Sequence, residues 1–244
     1  MEMKKIVVGL FVLLACMAFP SCTSDDEPKV EVDSEVVSAC ASGELTKCYK
    51  LVDREYHGHK ISSAKSAETK GDYIVDPLEF DPTDRTILFM KGQTLTPLHW
   101  TTSDQESYTI HLLQEVWNAY RKMASSKVEL YVAVPFGFDE SDSSLRTLDR
   151  TYSVMVMKED KLRLKYTDED SGSRIVYDYV KYPISKYELD LCAVFDSKLE
   201  AYRYIAETAK GLFGSKLDMS TVYPGAKEVI DLDDLIDRLD KGLY

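Results

Sequence analysis

Four histidines and several clustered carboxylates are the first places to look for chemistry in this chain. His57-Gly58-His59 is the only close histidine pair. Two imidazoles two residues apart on an extended segment can share a metal, with Asp53 or Glu55 as a third ligand. The plain alternative is a solvated turn. Asp168-Glu169-Asp170-Ser171-Gly172 sets carboxylates at alternating positions before a glycine, a spacing that oxygen-liganded calcium sites use. Asp168 and Asp170 would be the ligands. The distal glutamate of an EF-hand is missing, so an acidic hairpin loop is the competing reading, as it is for Asp139-Glu140-Ser141-Asp142. No resident cofactor is expected otherwise. Asp178, Glu188 and Asp190 fall on expected strands, where a carboxylate pair could serve a glycan hydrolase. Tyr177 and Tyr179 share one face of a strand and would offer an amphipathic surface to a sugar or a protein; core packing is the alternative. His99 and His111 have no partner that the sequence can place. The chain contains no Gly-x-Ser-x-Gly, no Gly-x-x-x-x-Gly-Lys-Ser/Thr and no His-Glu-x-x-His. The three commonest hydrolase and nucleotide signatures are therefore missing.

The elements that would position these residues follow from periodicity. Hydrophobic residues are 44% of the 244, with 16 Tyr and 8 Phe, which is a globular composition. Leu45–Tyr56 and Arg85–Lys91 read as strands. Ser103-Asp104-Gln105-Glu106 has the form of a capping box. The helix expected after it, to about Ala124, places Leu113, Val116, Trp117, Tyr120 and Met123 on one face. Five strands follow, near 127–135, 151–157, 161–166, 174–182 and 187–195. Their short connections predict an antiparallel meander, since parallel neighbours need long crossovers. Helices near 197–213 and 228–241 close the chain. The expected fold class is α+β, a meander of about five strands packed with two or three helices.

The N-terminus reads as a targeting segment. Lys4 and Lys5 precede fourteen uncharged residues, Ile6–Phe19, which suits a signal h-region and is short for a membrane span. Phe19-Pro20-Ser21-Cys22 follows, and then Thr23-Ser24-Asp25-Asp26-Glu27. A small residue before a cysteine behind an h-region resembles the lipobox of bacterial lipoproteins. The acidic run behind it resembles the surface-export signal of Bacteroidetes outer-membrane lipoproteins. The resemblance covers only the first 27 residues. Phe19 and Pro20 depart from the usual consensus. It implies cleavage before Cys22, lipid on the Cys22 thiol, and Ser24, Asp25, Asp26 and Glu27 as an address to the outer face of the outer membrane. The implied plan is a signal peptide over 1–21, a lipidated cysteine and acidic linker over 22–36, and one domain over 37–244.

Charge and cysteine usage narrow the partners. The formal net charge is −12, and losing residues 1–21 makes it one unit more negative. Such acidity argues against nucleic acid. The expected partners are the membrane, through lipid on Cys22, and a glycan or protein ligand. Of the five cysteines, Cys16 lies in the signal segment. Cys40 and Cys48 could close a short loop by a disulfide, while Cys192 sits in an apolar run and reads as a buried thiol. The function expected from these readings is a tethered envelope lipoprotein with a binding or structural role. A surface hydrolase using paired carboxylates, and an inhibitor docking a secreted enzyme, are the alternatives.

Overall fold

A computed structural model describes residues 29–56, 59–62, 86–98, 107–167 and 174–244. The described chain folds from Glu31. Strand β1 (Glu31–Val32) runs parallel to β9 (Thr151–Met157), and helix α1 (Ser34–Ser42) follows at once. Asp33 caps α1 by accepting the amide N–H groups of Glu35 and Val36, at 2.9 and 3.4 Å. Val36, Val37 and Cys40 form its buried face. The segment expected to end a free linker at residue 36 is thus already part of the fold.

The strands are β2 (Lys47–Tyr56), β3 (His59–Ser62), β4 (Thr86–Met90), β5 (Gln93–Pro97), β6 (Glu129–Pro135), β7 (Gly137–Asp139), β8 (Ser144–Arg146), β9, β10 (Lys161–Thr167), β11 (Arg174–Lys181) and β12 (Cys192–Phe195). With β1 they make one twelve-stranded sheet. Its main path runs β12-β6-β5-β4-β2-β11-β10-β9-β8-β7. The expected five-strand meander is therefore corrected to a large mixed sheet. Of the five strands expected in the meander, only those at β9, β10 and β11 are antiparallel neighbours in sequence order, as their short turns required. The early strands β2, β4 and β5 enter the same sheet and separate β6 from β11, and β12 pairs with β6 in parallel. Short connections fix which strands are joined, but not which distant strands share a ladder.

The sheet cannot stay open and flat. Strands β6 and β7 lie near opposite ends of the path, yet only Phe136 separates them in sequence. The far edge must curl back toward the near one, as in barrel closure. Phe136 sits at this seam: its N–H donates to the Gly92 carbonyl at 2.9 Å, and its ring meets Phe89 edge-on at 5.5 Å. Inside the curl lie Tyr49, Phe89, Leu145, Tyr152, Met157, Leu162, Tyr177 and Tyr179, with α1 packed against them. The Tyr49 hydroxyl donates to the Lys158 carbonyl at 2.7 Å, tying β2 to the β9–β10 turn.

Helices α2 (Tyr108–Ala124), α4 (Lys198–Phe213) and α5 (Leu232–Asp240) form a second core on the β6–β12 side. Leu113, Val116, Trp117, Ile205, Leu235 and Leu239 fill it. Helix α2 starts at Tyr108 behind Ser107, and the expected box at 103–106 lies outside the described residues. Met123, expected inside, is half exposed. Gly214 ends α4 at φ +79°. The stretch expected to continue as a strand from 187 instead begins as a short helix, α3 (Lys186–Asp190). The 182–192 segment covers a third cluster of Cys48, Leu88, Leu95, Tyr131 and Ala133 on the sheet's other face. A small hairpin pairs β13 (Lys216–Asp218) with β14 (Val229–Asp231) beside α5. Among the described residues no helix is long and apolar enough to cross a membrane.

Candidate functional site

A bulge in β2 decides which side chains reach the inside of the curl. Tyr179 stands opposite Leu51, but Asp178 stands opposite Asp53, so the register shifts across Val52. Strict alternation from Tyr49 and Leu51 would have pointed Asp53 and Glu55 inward. The bulge exchanges the faces. Asp53 and Glu55 go outward with Asp178, and Arg54 goes inward opposite Tyr177. Arg54 is buried, at 7% exposure.

Arg54 stands opposite Tyr177 in the ladder, and Tyr177 belongs to a group of tyrosines. The Tyr152 ring lies 5.9 Å edge-on from Tyr177 and 6.0 Å from Tyr166; Tyr177 and Tyr179 are 6.3 Å apart. Arg150, in the turn between β8 and β9, lays its guanidinium 4.8 Å from the Tyr166 ring centre and donates to the Tyr177 hydroxyl at 3.4 Å. That turn is itself held, because Thr147 N–H and Oγ1 both donate to the Arg150 carbonyl, at 2.8 and 3.1 Å. Lys198, at the start of α4, pairs with Asp149 at 3.2 Å and fixes the turn to the helical layer. Burial is graded: Tyr152, Tyr177 and Arg54 are buried, while Tyr166 and Arg150 are half-buried at the rim.

The two tyrosines read either as an open face or as core are in this cluster. Tyr177 and Tyr179 are fully buried, because the curl turns their side of β11 inward. Of the two readings offered for these residues, core packing is the one found, and the open sugar-binding face is not. What the sequence did not reveal is the arginine pair beside them. Arg54 needs the bulge and Arg150 needs the curl, and neither leaves a local pattern.

The carboxylates follow separate paths. Asp178 lies on the outer face, 3.6 Å from both Lys161 and Arg163, and Arg163 also pairs with Glu55 at 3.2 Å. Glu188 closes the capping box of α3. Its carboxylate accepts from the Ser185 N–H at 2.9 Å, the Ser185 hydroxyl at 2.7 Å and the Tyr182 hydroxyl at 2.7 Å. These donors, led by the Ser185 N–H, pull its pKa down to about 2. Such a group is ionised at neutral pH and has no proton to give as a general acid. Asp190 is exposed at the end of α3. Asp139 accepts from the N–H and hydroxyl of Ser141, at 2.9 and 2.6 Å, which pulls its carboxyl below the usual range. Asp142 accepts the Ser144 N–H at 2.9 Å, so this acidic loop is a pair of side-chain turns.

Cys40 and Cys48 do not form the expected bridge. Both are free thiols, Cys40 on the buried face of α1 against the inside of the curl and Cys48 in the cluster on the opposite face. Adjacent strand positions point to opposite faces, so Cys48 turns away from the interior that Cys40 enters while Tyr49 turns toward it. Burial pushes each thiol up to about 11. Cys192 is also free and packs beside the Cys48 cluster, half-buried.

His57, Asp168, Asp170, Cys22, Ser24, Asp25, Asp26, Glu27 and His99 lie outside the described residues. The His59 backbone pairs with Tyr56 in β3. His111 is exposed on α2. Among the described residues no group of three or more His, Cys, Asp or Glu is placed to hold a metal. No family model, curated protein or solved structure matches the chain.

Proposed function

We propose that this chain is a lipid-anchored lipoprotein of the outer membrane, displayed on the cell exterior, and that its folded domain acts by binding a ligand. The observation that carries the reading is the N-terminal order of features. An uncharged fourteen-residue segment ends at Ser21-Cys22, and Ser24-Asp25-Asp26-Glu27 follows directly. With the fold starting at Glu31, eight residues separate Cys22 from β1. Fully extended they reach about 28 Å. The tether keeps the domain close to the bilayer, and three acyl chains on Cys22 would hold it firmly.

A binding role is favoured over hydrolysis by how the carboxylates are used. Asp178 is committed to two cations, and Glu188 to three hydrogen bonds. Among the described residues the tyrosines around Arg150 form a constellation whose chemistry is recognition: stiff amphipathic rings with a guanidinium beside them.

The test is metabolic labelling with an alkynyl fatty acid, comparing wild type with Cys22→Ser. The expected result is label on the wild type and none on the variant. Equal labelling of both would sink the anchor. Protease shaving of intact cells then compares wild type with a variant carrying Asp25→Ala, Asp26→Ala and Glu27→Ala. Cleavage of the wild type alone supports an outward-facing domain; protection of both assigns it to the periplasmic side.

A further inference from the structure

We propose that the end of the domain crossed by helix α1 is the surface that faces the bilayer, with its lysines meeting the phosphates of the lipid headgroups. The inference rests on the lipid tether above and names the surface that the tether presents.

Principles of reach and a chain of contacts assemble this end. Eight residues after Cys22 lead into β1, so the tether enters the domain here. β1 lies beside the end of β9, where the Asp33 N–H donates to the Met157 carbonyl at 2.9 Å and Lys158 pairs with Glu31. Helix α1 runs from there to Gly43, which abuts the β4–β5 turn so closely that a Cβ on it would lie 2.7 Å from the Gly92 nitrogen. Between β4 and β9 the ladder holds β2, β11 and β10. A helix of nine residues, about 14 Å long, therefore joins the two by crossing the mouth of the curl. Val36, Val37 and Cys40 turn inward, while Ser34, Ser38, Ala41 and Ser42 are exposed. These short side chains let a flat surface come close. Around the helix, the β9–β10 turn contributes Lys158 and Lys161. The end of β11 contributes Lys181, whose N–H donates to the Asp160 carbonyl at 2.8 Å, and the start of β2 contributes Lys47, which pairs with Glu159.

Charge sets this end apart from the rest of the chain. Across residues 29–47, 91–92, 158–161 and 181, the cations are Lys29, Lys47, Lys91, Lys158, Lys161 and Lys181. They are matched one for one by Glu31, Asp33, Glu35, Glu44, Glu159 and Asp160. The end is neutral in a chain of net charge −12, so the excess of acid lies elsewhere. An anionic headgroup layer repels that excess within a Debye length and accepts the neutral, lysine-bearing end, which orients the domain. All of these lysines but Lys47 are exposed. The Lys158–Glu31 and Lys181–Glu159 pairs are about half exposed on both sides. Such pairs contribute little to stability, so a phosphate can take the lysine at small cost. Val30 and Leu45, also about half exposed, add apolar contacts to the same surface.

The experiment uses the full-length lipidated chain, on vesicles of phosphatidylethanolamine and phosphatidylglycerol and in a nonionic detergent. Flotation with the vesicles first reports attachment. Lysine acetylation by a water-soluble succinimidyl ester is then read residue by residue by mass spectrometry. Lys29, Lys91, Lys158 and Lys161 are expected to react about fivefold more slowly on vesicles than in detergent, the factor that one lysine held at an anionic surface supports. Lys165, farther along β10, and Lys127, ahead of β6, are expected to react equally in both. A variant carrying Lys29→Glu and Lys158→Glu should still float, with the protection of Lys91 and Lys161 lost. Should that variant not fold, the wild-type footprint decides alone. Equal reactivity of the four lysines in both settings, or equal slowing at Lys165 and Lys127, overturns the proposal. A chain that floats with these lysines unprotected keeps the tether and loses this orientation. A chain without lipid on Cys22 that does not float removes the tether, and the orientation falls with it.

Discussion

Replacing Gly43 with alanine tests the contact that brings α1 into the fold. Gly43 ends α1 at φ +72°, a left-handed conformation. An alanine there costs about 1–2 kcal/mol in backbone strain alone. Its Cβ would also lie 2.7 Å from the Gly92 nitrogen, 2.7 Å from the Lys91 carbonyl carbon and 2.8 Å from the Lys91 Cα. All three are backbone atoms of the β4–β5 turn. That turn is built from two left-handed residues, Lys91 at φ 53° and Gly92 at φ 71°, as a two-residue hairpin requires. It has no soft direction in which to move, so the overlap adds about 1–3 kcal/mol, as overpacking does elsewhere. The expected loss is about 2–5 kcal/mol, or a Tm lower by roughly 5–15 °C for a chain of this size. Gly211 is the internal control. It lies exposed within α4, and a Cβ there meets nothing within 4 Å. Gly211→Ala is expected to stabilise by about 0.5–1 kcal/mol, the helical cost of glycine. Urea unfolding followed by circular dichroism reads both. If Gly43→Ala unfolds within about 0.5 kcal/mol of wild type, the Cβ overlap and the docking of α1 on the β4–β5 turn are wrong.

Three other outcomes can be checked on the same protein. Tyr49→Phe removes a hydroxyl that donates to the Lys158 carbonyl at 2.7 Å, and is expected to lower stability by about 1 kcal/mol with the ring packing kept; an unchanged unfolding midpoint would remove this tie across the curl. Glu188 has a folded pKa of about 2, below the usual carboxylate value, so its stabilising contribution is present above about pH 4.5 and is lost as pH falls toward 2. Glu188→Gln should therefore flatten the acid side of the stability profile between those limits, and a profile parallel to wild type would contradict the hydrogen bonds. Cys40 and Cys48 are buried thiols pushed up to about 11, so both should resist a disulfide reagent at pH 8 in the folded protein and react after urea unfolding. A Cys40–Cys48 bridge found by non-reducing peptide mapping would refute their placement in separate clusters.

Local patterns were legible where local physics decides. The apolar spacing of Leu113, Val116 and Trp117 marked α2, and Ser197 and Gly214 marked the ends of α4. Thr86–Met90 stood out as a buried strand. The three-strand run from β9 to β11 followed from its short turns, because those turns leave no room for another partner. The 186–190 helix was misread as strand. Its capping box, Ser185 with Glu188, is the signal that identifies it, but an alternating apolar run beside it pointed the other way.

The amino-acid sequence by itself determined the N-terminal segment with its Cys22 motif, the acidic balance, the three long helices and the strands of β2, β4, β6 and β9 to β11, and the absence of the common hydrolase motifs. Each of these is a property of neighbours along the chain. Tertiary structure alone decided that β2 lies between β4 and β11, that the sheet curls across Phe136, that Arg54 turns inward opposite Tyr177, and that Arg150 reaches Tyr166 and Tyr177. Strand order is set by contacts between residues a hundred positions apart. The inward turn of Arg54 depends on one extra residue in β2, and an alternating pattern carries no mark of where such a bulge falls.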